Sequence, residues 1–208
     1  MIVTGIAPVT KQKYKVELDG RPAFVLYKGE LARYCIRLEQ ELTDEHYHEI
    51  VYVVLTKRAK KYVMHLLTKM DRTKKELEEK LKRNGYPEQA VNAAIAYVES
   101  YGYLNDKQYA INYMQAYEGK LSKKQICWKL LGKGIDSQTI DSVCEEIKQT
   151  DESALIQKYI SKKTKNQTGL TNKELKKLAD YLYRRGFEGN DIWDALRHYQ
   201  SDDNDVSL

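Results

Sequence analysis

Residues 73–98 read TKKELEEKLKRNGYPEQAVNAAIAYV, and this stretch decides the fold. It predicts a helix, a glycine that ends the helix, and a second helix, and the same pattern occurs around Gly85, Gly134 and Gly186. Apolar residues stand at the same offsets from each glycine, with the spacing of one face of an α-helix. Those before the glycine are Leu77 and Leu81, Ile126 and Leu130, and Leu178 and Leu182; those after it are Val91, Ile95 and Val98, Ile140, Cys144 and Ile147, and Ile192, Leu196 and Tyr199.

Each copy also begins with the same start signal. A hydroxyl residue is followed at the third position by Glu or Gln, which is the capping box that opens a helix. The three boxes are Thr73 with Glu76, Ser122 with Gln125, and Thr171 with Glu174. The third box lies further from its glycine than the other two, so its helix should be nearly one turn longer.

A further apolar-periodic segment precedes each box and predicts a first helix in every copy. Its inner positions are Tyr62, Leu66, Leu67 and Met70, then Tyr109, Tyr113 and Tyr117, then Leu155, Ile156, Tyr159 and Ile160. Together these segments predict a mainly α protein made of three tandem three-helix repeats. A repeat of roughly 50 residues is typical of an elongated array.

The N-terminal residues predict a different structure. Residues 2–6, 14–18 and 23–26 are short β-prone runs, and Asp19-Gly20 is a type I′ hairpin signal. So small a sheet should pack on a helix, and residues 29–37, with Leu31, Tyr34 and Cys35 on one side, are the predicted partner. Thr43 should cap a helix that ends near Leu55. The predicted division is an N-terminal β-hairpin cap with short helices at 1–56, repeats at 57–104, 105–150 and 151–200, and an acidic flexible tail at 201–208.

The basic surplus lies in the repeats. The chain carries a net charge of +5, and residues 57–83 alone hold 11 basic and 4 acidic side chains. Exposed helices often carry such charge only for solubility. Repetition at related positions instead favours a surface for a polyanion or an acidic protein, which we call the basic ridge. Its predicted members are Arg72, Lys74, Lys75, Lys82, Arg83, Lys123, Lys124, Lys129, Lys176, Arg184 and Arg185.

Both tryptophans stand where the other repeats have polar residues. Trp128 matches Glu79 and Asp180, and Trp193 matches Asn92 and Asp141. Such rings either pack between repeats or serve as anchors for a partner, since tryptophan is enriched at binding hot spots.

Several function classes lack their motifs. The sequence has no Gly-rich phosphate loop, nucleophile elbow or zinc-binding HExxH, which argues against an enzyme and predicts no cofactor. His46 and His48 would point to different faces of a helix, so no metal site is predicted. The cysteines, Cys35, Cys127 and Cys144, fit reduced thiols, and no apolar run approaches a membrane span. We therefore expect a soluble, cytoplasmic protein.

The segment Gly102-Tyr103-Leu104-Asn105-Asp106 with Tyr109-Ala110 resembles the GYLDD..FA signature of the RecX family, and Gly134-Ile135-Asp136 is similar to a later family motif. Asn105 and Tyr109 replace a common Asp and Phe, and the third repeat is the loosest match. The resemblance covers roughly residues 57–200. It implies a monomeric regulator in DNA recombination, DNA repair and the SOS response, with no catalytic residues.

By this resemblance the protein binds the groove of the RecA recombinase filament. It would inhibit or modulate ATP hydrolysis, strand exchange and co-protease activity, and contact single- or double-stranded DNA weakly, mostly through the filament. The alternative is a direct DNA-binding protein of tandem helix-turn-helix-like units. Tight, sequence-selective binding to naked duplex DNA would favour that alternative.

Overall fold

The computed structural model describes residues 1–147 and 152–200, so the predicted acidic tail lies outside the described residues. The chain forms two compact units, Met1–Asp106 and Lys107–Leu208. None of the helices described is long and apolar enough to span a membrane.

The first unit begins with the predicted three-stranded sheet. Strands β1 (Val3–Pro8), β2 (Lys13–Leu18) and β3 (Arg21–Tyr27) pair antiparallel in that order. Asp19 and Gly20 both have positive φ, 48° and 78°, as a type I′ turn requires. The alternation of a strand then directs Val16, Leu18, Phe24 and Leu26 into the core.

The helix after the sheet is shorter than predicted. Helix α1 covers Lys28–Arg33 and stops before Cys35, which has a positive φ of 51° that a right-handed helix cannot accommodate. Tyr34 is buried as predicted, but Cys35 is exposed, so its predicted packing against the sheet is wrong.

One continuous helical run follows, although the sequence predicted a break near Leu55. Thr43 caps α2 (Asp44–His48) by accepting from the His46 N–H, as predicted. A π-helical segment, Glu49–Leu55, then joins α2 directly to α3 (Thr56–Leu67). The Thr56 hydroxyl donates to the Val51 carbonyl at 3.0 Å across this junction. The boundary predicted between residues 56 and 57 therefore falls inside a helix.

Helices α4 (Lys74–Arg83) and α5 (Glu88–Ser100) complete the first unit. The sheet and these helices share one core, which includes Phe24, Leu55, Leu77 and Val98. The main chain connects them too, because the Val25 N–H of β3 donates to the Gly85 carbonyl at 3.1 Å. The sheet is thus an integral part of the unit that holds the first repeat.

The remaining helices supply the second and third repeats. They are α6 (Asp106–Tyr117), α7 (Lys123–Gly132), α8 (Ser137–Glu146), α9 (Ser153–Thr164), α10 (Asn172–Arg184) and α11 (Gly189–Leu196), followed by a 3-10 turn, Arg197–Tyr199. Helix α10 has 13 residues against 10 in α4 and α7, which confirms the predicted extra length. The three-helix order is confirmed in all three copies.

The predicted inner faces hold for the second and third helices of each repeat, with two errors in the first helices. Met70, predicted as an inner residue of the first repeat, lies beyond the end of α3 and is 58% exposed. Leu77, Leu130 and Leu182 are fully buried. In α6, however, Ala110 and Met114 are buried, whereas the predicted inner residue Tyr117 is 37% exposed. Tyr109 and Tyr113 are partly buried and pack against the core that Ala110 and Met114 enter.

Two of the cysteines lie together inside the second unit. The sulfur atoms of Cys127 and Cys144 are 3.7 Å apart, and burial raises the pKa of the Cys127 thiol to about 11. Since the thiolate is the reactive form, iodoacetamide at mildly alkaline pH should modify exposed Cys35 well before Cys127. Mass spectrometry of the two peptides measures both rates, and the urea-unfolded chain is the control. Equal rates in the folded protein would contradict this prediction.

Candidate basic interface

The middle helix of each repeat carries most of the basic ridge, and local chemistry fixes where it begins. Thr73, Ser122 and Thr171 are N-caps whose hydroxyls accept from the third N–H of α4, α7 and α10. The complete capping box forms at Thr171, where Glu174 accepts from the Thr171 N–H at 2.9 Å. In the second repeat, the predicted return contact is missing because the Gln125 Oε1 atom has no hydrogen-bond partner among the described residues.

The end of each middle helix is equally well defined. Gly85, Gly134 and Gly186 have φ of 77°, 86° and 85°, in the left-handed region. The N–H of the next residue donates back to Leu81, Leu130 or Leu182, and the glycine N–H donates to Lys82, Leu131 or Tyr183. These two backbone hydrogen bonds together form the Schellman motif. Both ends of each middle helix are therefore defined, and so is the helix face on which each basic side chain lies.

A carboxylate from the following segment supports two of these helix starts. Asp106 accepts from the Lys74 N–H at 2.9 Å, and Glu152 accepts from the Lys123 N–H at 2.5 Å. Burial raises the pKa of Glu152, while the Lys123 N–H opposes that rise. Sequence reasoning missed both residues. Asp106, the last residue of the GYLND segment, thus has a structural role in closing the first repeat.

The exposed outer faces of the middle helices share a lysine at one position. Lys75, Lys124 and Lys176 stand at the same offset before their glycines, and all three are exposed. We call them the outer lysines. Further along the same face, the position of Lys82 is occupied by Leu131, 45% exposed, and by Tyr183, 67% exposed. The exposure of Leu131 and Tyr183 was not predicted. Their alignment with Lys82, a residue type that is usually exposed, could have indicated it.

The predicted ridge residues divide into exposed and engaged groups. The exposed ones that form no ion pair with another residue in 1–147 or 152–200 are Lys75, Lys82, Arg83, Lys123, Lys124, Lys129, Lys176 and Arg184. Lys74 is exposed but pairs with Glu99 at 2.9 Å, and this hydrogen bond raises the pKa of Lys74. Arg72 is half-buried. Membership of all eleven in one binding surface stays a prediction.

Arg185 is held inside the second unit. Its guanidinium lies 4.8 Å from the ring centre of Tyr159 and 4.9 Å from that of Tyr181. Its carbonyl accepts from the Ser122 hydroxyl at 2.5 Å. These contacts join the cap of α7 to the end of α10, so Arg185 has a structural role that its charge alone did not reveal.

Helix electrostatics do not explain the lysines at the start of α7. The N-terminal end of a helix dipole is positive, so a cation there costs roughly 0.3–1 kcal/mol. Lys123 and Lys124 occupy the first two positions of α7, whose first turn has no acidic residue. They therefore weaken the helix slightly, and the Glu152 carboxylate at the Lys123 N–H offsets part of that cost.

Trp128 and Trp193 are each 51% exposed and belong to none of the three buried clusters. The Lys124 Nζ atom lies 5.6 Å from the centre of the Trp128 ring. Trp128 thus shares the outer face of α7 with Lys124 and Leu131. Both rings are thus half exposed, and their role as partner anchors stays a prediction.

The capping box on α10 should make the stability of the fold depend on pH. The Thr171 N–H and hydroxyl, at 2.9 and 2.7 Å, lower the pKa of Glu174 from its usual 4.5. An acid with a lowered folded pKa stabilises the fold above its usual value, and that contribution is lost as the pH falls through the lowered pKa. Glu174→Gln should therefore lower the melting temperature at neutral pH and have little effect in acid.

Thermal melts followed by tryptophan fluorescence measure this effect. Glu145→Gln is the control, because Glu145 is exposed and has no hydrogen-bond or ion-pair partner within the described part of the chain. If Glu174→Gln lowers the melting temperature equally at neutral and at acid pH, the charge of Glu174 does not contribute to stability.

The fold and the outer lysines define a class: a protein of tandem three-helix repeats that presents basic, partly apolar helix faces. Family models described as "RecX, first three-helix domain" and "RecX, third three-helix domain" match residues 59–97 and 150–196. The chain belongs to the RecX family of regulatory proteins.

Curated relatives agree with this assignment, and solved structures share the fold. Regulatory protein RecX of Caldanaerobacter subterraneus subsp. tengcongensis is 32% identical over 94% of this chain and 98% of its own length. Regulatory protein RecX of Bacillus subtilis is 27% identical over 92% of this chain and 75% of its own length. A crystal structure of regulatory protein RecX has a TM-score of 0.63 at 21% identity, covering 94% of this chain and 98% of that chain. RecX from Lactobacillus salivarius has a TM-score of 0.58 at 19% identity, covering 69% of this chain and 95% of that chain. These two structures support the fold alone.

Proposed function

We propose that this protein is a cytoplasmic regulator of homologous recombination and DNA repair. It binds the RecA–DNA filament along its groove and inhibits or modulates ATP hydrolysis, strand exchange and co-protease activity. It acts as a monomer without a cofactor, and its contact with DNA is weak outside the filament. Membership of the RecX family supports this role.

The observation that carries the proposal is the recurrence of the outer lysines on helices of the same construction. Lys75, Lys124 and Lys176 are exposed at one offset in three repeats. A polymer with repeating subunits offers equivalent acidic positions at intervals. Several weak contacts on one chain then combine into high overall affinity without any deep pocket.

Ionic contacts of this kind should depend on salt. Exposed charges are screened over about 10 Å at 0.1 M ionic strength, so inhibition should weaken as salt is raised. Trp128 and Leu131 beside Lys124 supply apolar area that salt does not screen. Part of the binding should therefore persist at high salt concentration.

The deciding experiment is an ATPase assay on recombinase bound to single-stranded DNA, with and without this protein. The proposal requires the hydrolysis rate to fall as the protein is added. Binding to naked duplex DNA in moderate salt is measured alongside. Tight, sequence-selective duplex binding with an unchanged ATPase rate would instead identify a direct DNA-binding protein.

A further inference from the structure

The first unit contains an open cleft of about 1280 Å³, in which Lys82 and Arg83 of the basic ridge meet residues of the sheet. Strands β2 and β3 form one side, and the segment from the end of α4 to the start of α5 forms the other. The two sides meet where the Val25 N–H donates to the Gly85 carbonyl at 3.1 Å. We call this feature the strand cleft. Because β3 is hydrogen-bonded to the glycine that ends α4, the two sides of the strand cleft are held at a fixed separation.

The charge lining the strand cleft is predominantly positive. Its walls carry five basic side chains, Lys13, Lys15, Arg21, Lys82 and Arg83, against two acidic ones, Asp19 and Glu88.

Acidic groups offset part of this charge. The Asp19 carboxylate accepts from the Ile2 N–H at 2.8 Å, a neutral donor that does not cancel a charge, and Lys15 pairs with Glu17 at 3.2 Å. Arg21, Lys82 and Arg83 have no ion-pair partner within residues 1–147 and 152–200. Unpaired cations facing one space attract an anionic ligand.

We propose that the strand cleft binds an extended acidic segment of a protein partner. Arginine binds a carboxylate through two parallel N–H donors, so Arg21 and Arg83 suit glutamate or aspartate side chains. Between the cations the lining includes the apolar residues Val9, Pro22 and Pro87. An extended peptide places alternate side chains on opposite faces, so carboxylates can meet the cations while small apolar residues meet this lining.

The lining favours a peptide over single-stranded nucleic acid. A site for single strands combines cations with open aromatic faces on which bases stack. The tyrosines in the strand cleft, Tyr47 and Tyr86, are instead partly buried against the core. Burial raises the pKa of Tyr86 to about 12, which agrees with a hydroxyl withdrawn from water.

The inference goes beyond the proposed function, because the strand residues of the cleft are outside the basic ridge. Its test needs neither recombinase nor a filament. The probe is a short fluorescein-labelled peptide of glutamate, alanine and serine, and its binding to the full chain is measured by fluorescence anisotropy. A peptide with glutamine in place of glutamate has the same length and no charge, and fluorescein-labelled oligothymidylate tests nucleic acid.

The cleft variant is Arg21→Glu with Lys15→Gln. The matched control is Lys28→Glu with Lys11→Gln, which changes the charge equally on exposed residues of the same region outside the cleft. Loss of two contacts at a binding centre should weaken the glutamate peptide about tenfold or more. The control should bind like the unmodified protein, and circular dichroism should show both variants folded.

Three results would overturn the inference. One is no binding of the glutamate peptide by the unmodified protein. Another is equal loss of binding in the cleft and control variants, which would show a general charge effect. The third is oligothymidylate binding that the cleft variant alone loses, with no peptide binding, which would make the strand cleft a nucleic-acid site. Inhibition of the recombinase ATPase is independent of all three results.

Discussion

Gly85→Ala is expected to lower the free energy of unfolding of the first unit by about 3 kcal/mol or more. Gly85 has a φ of 77°, where a residue with a Cβ costs roughly 1–2 kcal/mol. A Cβ at this position would also lie 2.2 Å from the Cγ2 atom of Val25. Relieving that overlap must move β3 away from the helix end, and overpacking of this kind costs roughly 1–3 kcal/mol.

Gly102→Ala is the matched control for this prediction. Gly102 also ends a helix with positive φ, 70°, and its neighbour Tyr103 donates back to the Val98 carbonyl at 2.9 Å. No atom lies within 4 Å of a Cβ built there, so only the backbone cost of roughly 1–2 kcal/mol should appear. Urea unfolding followed by far-UV circular dichroism measures both variants. Equal losses would mean that the contact between Gly85 and Val25 carries no energy.

The sequence predicted those parts of the structure that depend on neighbouring residues. A cap such as Thr171 and a stop such as Gly186 act within one helical turn, so their residue types identify the helix ends directly. The buried stripe through Leu178 and Leu182 follows from the period of the helix. The three-helix repeats could therefore be located without any knowledge of tertiary contacts.

Contacts between distant segments were not predictable in this way. Glu152 accepts from the N–H of Lys123, and Arg185 stacks on Tyr159, yet neither contact leaves a periodic pattern in the sequence. The π-helical segment Glu49–Leu55 was missed because its apolar residues read as the end of a helix. Within the basic ridge, the pattern located exposed positions such as Lys124 but could not separate them from Arg185, whose guanidinium packs on tyrosine rings inside the second unit.

Lys123→Gln, Lys124→Glu and Lys129→Glu, combined in one chain, should raise the concentration for half-maximal inhibition of the recombinase ATPase about 10- to 100-fold. All three residues are exposed on α7. Glutamine is chosen at Lys123 because a second carboxylate there would repel Glu152. The pKa of Glu152 is already raised by burial. Glutamate at Lys124 lies in the first turn, where the helix dipole favours a negative charge, so the helix should remain folded.

The matched control places the same charge change on the first helix of the third repeat and on Lys165, the residue that follows it. Lys158→Glu, Lys162→Glu and Lys165→Gln alter exposed residues outside the basic ridge. Lys162 and Lys129 both lie in the last turn of a helix, so each variant carries one substitution that opposes the dipole. If inhibition depends on where the cations stand, only the α7 variant loses it, and the loss shrinks as salt screens the unmodified protein. If net charge alone attracts the filament, both variants lose inhibition equally, and the equivalence of Lys124 with Lys75 and Lys176 has no functional meaning.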